Sequence, residues 1–550
     1  MTGSFSSPLP RSASHMFAAF LLTAAAGGLA AFAAEPLAPW GSSRHPTDVA
    51  KRHVQEITAT RAEYAVTQAG TMDGENTRSP QGVWQPFEQT WESNRSVRME
   101  NIGESDVVNP WLASRRGSFR SVNEIVAAAV KPGMSDKEKA MALWWQQIQH
   151  RFHQGGNNDE LMDPVKLLNV YGHNTCGNDS IALAGLWKKA GFKVAPARLV
   201  GHCVTQVFYD GGWHLMDGDM HSIYLLRDNE SVAGEQDLVR DHDLVRRTHT
   251  QGILQADRRA GDEWESSIYV YEGVVNGDRN APLDTTMNMT LRSGESLTWR
   301  WGHLNPVKQH GGQGNQNPNR VCNGLWEYRP DFTRDLWRKG VVSVDGVALD
   351  KDGLVAEPGK IGTVVWAIRS PYVFVGGRLE TEGNAKFSLS WDGKSWEEIG
   401  SDLDKHFWPD GPARYLYYLR CQLSGDAGLK KLAVINDLQM APLTLPGMRV
   451  GENSFAYTDQ SQDRKIRITH EWVERSASKP PLRPSAPIYP PKGGEAEGTA
   501  VAFQWQPATD PDGDTIADYH FELSSRADMR WPLSMSFTRL ISRTADAGKP

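Results

Sequence analysis

Apolar residues recur at helical spacing in the run that follows Ser135: Ala140, Leu143, Trp144, Ile148 and Phe152 fall on one face. Ser135 and Glu138 stand three apart at its start, the spacing of a capping box, so a helix is predicted from about Asp136. A second helix is predicted to open near Cys176, lined by Ile181, Leu183, Ala184, Leu186 and Trp187 and ended by Gly191. The period then changes. "VAPARLVG", "CVTQVFYD" and "GWHLMD" read as strands, the last two joined at Asp210-Gly211-Gly212. Helices followed by antiparallel strands predict an α+β domain over residues 116–255.

Elsewhere the pattern is that of strands. "SVRMENIG" (Ser96–Gly103) alternates, and residues 34–115 read as a small β-rich lead-in region. From about Gly261 to Ser476 the helical signal is gone. "SIYVYEG", "TVVWAI", "YVFVGGRLE", "RYLYYLRCQL" and "KIRITHEWVE" are among the predicted strands, so 256–475 reads as a β-sandwich region. "SWDGKSW" is one residue short of the Asp-box of sialidase-like repeats and is assigned a hairpin at Asp392-Gly393. Residues 476–494, with "SASKPPLRPSAPIYPPKGG", form a proline-rich linker. Residues 495–550 look like the opening strands of a fibronectin type III-like module. They are too few for a sandwich of about 100 residues, so the chain is expected to stop inside a domain. The expected fold class is therefore multidomain, α+β and all-β.

Length and charge narrow the picture. At 550 residues the chain has room for roughly three to four domains. A formal net charge of −7 and the lack of a long basic block argue against nucleic-acid binding. Arg11 and His15 precede the apolar run Met16–Ala34, and Ala31-Phe32-Ala33 supplies small residues at a cleavage site. Residues 1–33 are accordingly read as a signal peptide, with a membrane anchor as the alternative if it is not cleaved. The mature chain is then expected in a secreted, periplasmic or cell-surface location, where disulfides are allowed. The four cysteines permit three pairings if all pair, and Cys322 with Cys421 in the β-rich region is one candidate pair.

Cys176 is where chemistry concentrates. A helix N-terminus lowers a thiol's pKa, Gly177 lets a backbone approach, and the first peptide N–H groups can hold an oxyanion. His202 is the candidate base and Asp217 the group that orients it. A register placing Phe208 opposite Trp213 and Val204 opposite Asp217 brings His202 diagonal to Asp217 on one face. That register is expected from a four-residue loop Tyr209–Gly212. A two-residue loop at Gly211-Gly212 pairs Asp217 with Gln206 and separates it from His202. Strand alternation sends Cys203 to the face opposite His202, so a Cys176–Cys203 disulfide is not expected. The bland readings stay open: Cys176 as a small buried apolar residue, His202 as a satisfied core histidine, Asp217 as a strand-end turn residue. Tyr171, His173 and Asn174 are assigned loop duty, although each is close enough along the chain to serve an oxyanion.

A cysteine opening a helix, followed by "GHCVTQVFYDGGWHLMD", resembles the core of transglutaminase-like proteins, with the upstream helix "SDKEKAMALWWQQIQHRF" where that family has one. The likeness covers roughly Met134–Asp219. It implies a papain-like Cys-His-Asp triad at Cys176, His202 and Asp217. Many members carry an aromatic two places after the histidine and an acid four places after it; here Val204 and Gln206 stand there. The implied activity is acyl transfer or hydrolysis of peptide or glutamine-type amides through a cysteine thioester, as a protease, deamidase or cross-linker. The partner is then a protein or peptide substrate, with a surface glycan or protein on the β-domains. The alternative is a non-catalytic adhesion or scaffold protein with a relic core. No cofactor and no metal are expected. Cys176, His202, Cys203 and His214 were weighed as zinc ligands, but no Cys-x-x-Cys or His-x-x-x-His pair is present among them. "DPDGD" (Asp510–Asp514) has its glycine misplaced for an EF-hand and reads as a turn. Gly311–Asn315 lacks the Lys-Ser/Thr of a phosphate loop.

Overall fold

The capping box predicted at Ser135 is formed: Ser135 Oγ accepts the Glu138 N–H at 3.2 Å and Glu138 Oε2 accepts the Ser135 N–H at 2.8 Å. In this computed structural model the described residues are 48–70, 92–245 and 280–475, with most of 482–522 and 541–544. The isolated positions 115–116, 157, 198, 200–201, 229, 305, 312–320, 352, 408–410 and 426–427 are excepted. The helices are α1 (Val122–Ala129), α2 (Asp136–Ile148), α3 (Pro164–Lys166), α4 (Cys176–Lys189) and α5 (Glu235–Arg240). The molecule is a multidomain α+β protein in which strands (42%) far outweigh helices, and one antiparallel sheet curls into a half-barrel.

Helix α4 begins and ends for local reasons. Gly172, in the left-handed region at φ 68°, closes the preceding helical turn. The Asp179 N–H then donates to Thr175 O at 2.9 Å as the first bond of the new helix. At the far end Gly191 takes φ 94°, and Phe192 N–H bonds back to Trp187 O at 3.0 Å. The buried face is Asp179, Ala182, Leu183, Leu186 and Trp187; Ile181 and Ala184 are only half-buried.

Beside it lies a four-stranded antiparallel sheet in the order Ser222–Ile223, Gly212–Asp217, Thr205–Tyr209, Lys193–Pro196. Its central hairpin pairs Tyr209 with Gly212 and Phe208 with Trp213. Asp210 (φ 48°) and Gly211 (φ 79°) form a tight turn with two positive φ values, the mirror-image turn that suits strand twist. The Phe208–Trp213 register is the expected one, reached through a two-residue turn at Asp210-Gly211 rather than a longer loop. Val207, Tyr209 and Met216 join the core shared with the helices, while Val204 and Leu215 join a separate cluster with Tyr224, Leu238 and Val245.

The β-rich part is built around a nine-stranded antiparallel sheet. Its order is Asp48–Ile57, Ile466–Arg475, Asn94–Asn101, Glu295–Arg300, Cys322–Tyr328, Gly428–Met440, Gly353–Ala356, Val347–Asp350, with Phe374–Gly383 also on Gly428–Met440. The strands of 48–101 are thus interleaved with strands more than 190 positions away: Glu100, for example, pairs with Ser296. A second sheet runs Val341–Asp345, Ile361–Arg369, Leu416–Ser424, Lys386–Ser390, Glu397–Ile399. The hairpin of "SWDGKSW" belongs to it. Asp392 Oδ1 accepts the N–H groups of Lys394 and Ser395 at 2.8 and 2.7 Å, an Asx turn. Cys322 and Cys421 are both buried and no disulfide joins them; Cys322 Sγ accepts the Gly302 N–H at 3.5 Å. The Ala441 N–H donates to Asn169 O at 2.9 Å and Lys166 Nζ to Pro371 O at 2.9 Å, tying the helical part to the large sheet.

Past Arg475, Pro487–Tyr489 pairs with Gln504–Trp505, and Tyr519–Glu522 pairs with Ile541–Thr544. Gly513 N–H to Asp510 O at 3.2 Å makes the expected turn. The segment 1–33 expected to be a signal peptide, "SIYVYEG", Gly312–Asn315 and part of the proline-rich linker lie outside the described residues. Among the described residues no helix is long and apolar enough to cross a membrane.

Candidate active site

Cys176 is the first residue of α4 and is partly exposed. Its Sγ, a ring nitrogen of His202 and a carboxylate oxygen of Asp219 all lie within 4.8 Å of one another. His202 is 9% exposed, and its Nε2–H donates to Asp217 Oδ2 at 2.6 Å. Nδ1 is therefore the nitrogen left for the thiol. The other oxygen of Asp217 is used locally: Oδ1 accepts the N–H groups of Asp219 (2.9 Å) and Met220 (2.8 Å). One carboxylate thus orders the turn after its strand and aims its second oxygen at the imidazole.

Helix α2 and its continuation hold this arrangement from behind. Trp144 Nε1 donates to Asp217 O at 2.9 Å. Gln147 Nε2 donates to Asp179 O (3.0 Å) and Oδ1 (2.6 Å). Arg151, fully buried, donates to Gly218 O (2.7 Å), Asn174 O (2.9 Å) and Asp219 Oδ1 (2.7 Å), and its Nε lies 3.5 Å from Asp179 Oδ1. Trp144 and Gln147 stand three apart on α2 and Arg151 follows just past its end, so α2 and the residues after it grip both the loop before Cys176 and the loop after Asp217. Gly218 fits because it lacks a side chain: a Cβ there would stand 2.3 Å from Asp179 Oδ2.

Three buried acids and one buried arginine set the field. Burial pushes the Asp179 carboxyl up to about 7 against the pull of Arg151. Burial opposes ionisation of Asp219 too, but Arg151 and the hydrogen bond from His153 (Nδ1, 2.8 Å) hold it well below the usual carboxylate range. Burial disfavours a charged His202, yet the charge and hydrogen bond of Asp217, with Asp219 beyond, raise its pKa to about 9.

Two expectations are corrected. Cys203 does not point away. The strand is regular only from Thr205, and the Ala197 N–H donating to Val204 O at 2.9 Å is the last link of its ladder. His202 and Cys203 precede that link and lie outside strand alternation, and the Cys176 thiol donates to Cys203 Sγ, which lies 4.0 Å from where a Cβ on Gly177 would be. Nor is the Cys176 thiol acidic. The Cys203 hydrogen bond first, then burial, then the Asp219 charge push it up, outweighing what a helix N-terminus supplies.

The neighbouring candidates have other work. Tyr171 donates to Glu160 Oε2 at 2.6 Å, His173 Nε2 meets Gln309 Nε2 at 2.9 Å, and Asn174 Nδ2 donates to Leu161 O at 3.2 Å. His214 stacks on Tyr209 at 3.7 Å between ring centroids, with Nδ1 on Val232 O at 2.6 Å, and takes no part in the cluster. Gln206 bridges to the start of α5, accepting the Glu235 N–H at 2.8 Å. Sequence reasoning missed Gln147, Arg151, Asp179 and Asp219. The available signal was a glutamine and an arginine on the apolar stripe of a helix, where polar residues persist only with partners. No family model, no curated protein and no solved structure matches the chain.

Proposed function

We propose that this chain is an exported thiol enzyme of transglutaminase-like, papain-type design, acting on a peptide or glutamine-type amide. Cys176 attacks the amide carbonyl, and its proton passes to His202 Nδ1 and then to the departing amine. The resulting thioester is resolved by water or by a second amine. Asp217 is the positioning residue that fixes the ring. The observation that carries the reading is the polarity of the pair: Nε2 is committed to Asp217 at 2.6 Å, while Cys176 Sγ is within 4.8 Å of the ring. Helices α2 and α4 against an antiparallel sheet support the papain-type core, and the two larger sheets support β-sandwich domains that hold protein or glycan partners.

The titration shapes the chemistry. With His202 near 9 and the thiol also raised, the pair sheds its first proton near pH 9. Activity is expected to climb toward that pH. The test is acylation by p-nitrophenyl acetate, followed by intact and peptide mass spectrometry. The expected result is an acetyl adduct on Cys176, lost in Cys176→Ala and formed at least ~10²-fold more slowly in His202→Ala. Equal labelling of Cys176 and Cys203, unchanged in His202→Ala, would sink the enzyme reading. The raised thiol favours the scaffold reading in that event.

A further inference from the structure

The cluster that supports thiol chemistry has a second property, independent of whether Cys176 ever forms a thioester. Asp219 is 1% exposed, and its Oδ1 is taken by Arg151 and His153. Its Oδ2 is buried and has no hydrogen-bond partner among the described residues. A buried carboxylate oxygen left bare costs free energy unless something cationic meets it. What it stands against is a sulfur and an imidazole nitrogen, all three donor atoms lying within 4.8 Å of one another. Thiolate, imidazole and carboxylate are the donors that zinc prefers. A tetrahedral zinc with sulfur at ~2.3 Å and nitrogen or oxygen at ~2.0–2.1 Å keeps its ligand atoms about 3.3–3.7 Å apart. Closing the cluster by at most about 1.1–1.5 Å reaches that spacing, within the play of side-chain rotamers.

The outer groups suit the same purpose. His202 donates its other ring N–H to Asp217, the carboxylate–histidine arrangement that orients an imidazole on a metal. Arg151 and the hydrogen bond from His153 fix the Asp219 carboxylate in the same way. We propose that Cys176, His202 and Asp219 form a site for one thiophilic divalent cation of the zinc class, with the fourth position open to water. Binding releases the thiol proton of Cys176 and any proton on His202 Nδ1 to solvent, with no change of oxidation state. A bound cation holds the sulfur in a metal–thiolate bond and thereby withholds it from an acyl donor. The site so defined differs from the zinc set considered from sequence, with Asp219 in place of His214 and Cys203 at its margin.

The test uses the full chain, reduced and chelator-treated, titrated with Co²⁺ and then with Zn²⁺. The expected result is one equivalent of Co²⁺ bound with a sulfur-to-cobalt charge-transfer band and the intense visible bands of tetrahedral cobalt, displaced by Zn²⁺. Zn²⁺ should protect Cys176 from iodoacetamide, and prior alkylation of Cys176 should abolish the charge-transfer band without any change of sequence. Asp219→Asn should weaken binding tenfold or more, checked against far-UV circular dichroism because Arg151 loses a partner. His202→Ala provides a second ligand deletion that leaves Arg151 paired. Weak, octahedral cobalt with no sulfur band, or full affinity in folded Asp219→Asn and His202→Ala, would overturn the proposal. A failed acylation assay would leave these readouts untouched, so the two readings fail separately.

Discussion

Two buried histidines in this molecule have been pushed in opposite directions. His470, on the strand Ile466–Arg475, is fully buried beside Phe455 (ring centroids 4.4 Å) and accepts the Tyr64 hydroxyl on Nε2 at 2.8 Å. Burial, with His53 nearby, lowers it to about 3. His202 is almost as buried, yet it is raised to about 9 because Asp217 meets its Nε2 and Asp219 lies beyond. Burial alone makes a histidine a neutral packing group. A fixed carboxylate makes it a carrier of charge, and that carboxylate is tolerable in the interior only because backbone N–H groups and Arg151 hold the acids around it.

Asp217→Asn attacks this difference at its source. The amide keeps the shape and an oxygen for the N–H groups of Asp219 and Met220, but it removes the charge facing His202. The expected loss in acylation of Cys176 is on the order of 10³–10⁴, the scale seen when a triad carboxylate becomes an amide. His470→Gln should leave the rate per folded molecule unchanged. A Cys176 acylation rate in Asp217→Asn within a few-fold of the parent would remove the distinction between the two histidines.

The stability curve should carry both signatures. The folded pKa of His470 lies below its ordinary 6.5, so the unfolded chain binds the extra proton, and stability drains away as pH falls from about 6.5 toward 3. The full span is worth roughly 4–5 kcal/mol. The folded pKa of His202 lies above 6.5, so its contribution is complete below that value and is lost as pH rises through about 9, roughly 3 kcal/mol in all. Urea unfolding of metal-free protein across pH 3–10 measures both limbs. His470→Gln should flatten the acid limb alone, and Asp217→Asn the alkaline limb alone.

Arg151→Met tests what makes the acid-rich side tolerable. It leaves Asp219 and Asp179 buried without their cation, at an expected cost of about 3 kcal/mol. Adding Asp179→Asn should recover part of that loss, because Asp179 is the acid whose ionisation burial already opposes. Chemical denaturation of the single and double variants gives the coupling. Strict additivity would show that the arginine and the acid do not act as a pair.

How far the sequence discloses this is uneven, for identifiable reasons. Helix α2 was legible down to its capping box because periodicity and capping are local. The hairpin register matches the one expected from a four-residue Tyr209–Gly212 loop, although the structure reaches it through a two-residue turn at Asp210-Gly211. That the strands of 48–101 pair with 295–300 and 466–475 was not legible, since alternation names a strand and not its partner. At the site, Cys176, His202 and Asp217 could be named from spacing. Arg151, Asp179 and Asp219 could not be weighed, because their importance lies in charges brought together from three separate stretches. Cys203 was misplaced by applying strand alternation one step beyond the Ala197–Val204 pair, where the ladder ends.

The smallest effect bears on the sulfur itself. The hydrogen bond that the Cys176 thiol donates to Cys203 is the foremost cause holding it up, ahead of burial and of Asp219. Cys203→Ala removes the group altogether, while His202 and Asp217 keep their 2.6 Å bond. Iodoacetamide capture of Cys176 at pH 8 should then speed up by roughly threefold or more, because more thiolate is present at that pH. The acid limb due to His470 should not move. A Cys176 rate that stays constant or falls in Cys203→Ala would mean that the negative field of Asp219, and not the second thiol, keeps the nucleophile protonated. In that case Asp219→Asn would be the faster-reacting variant.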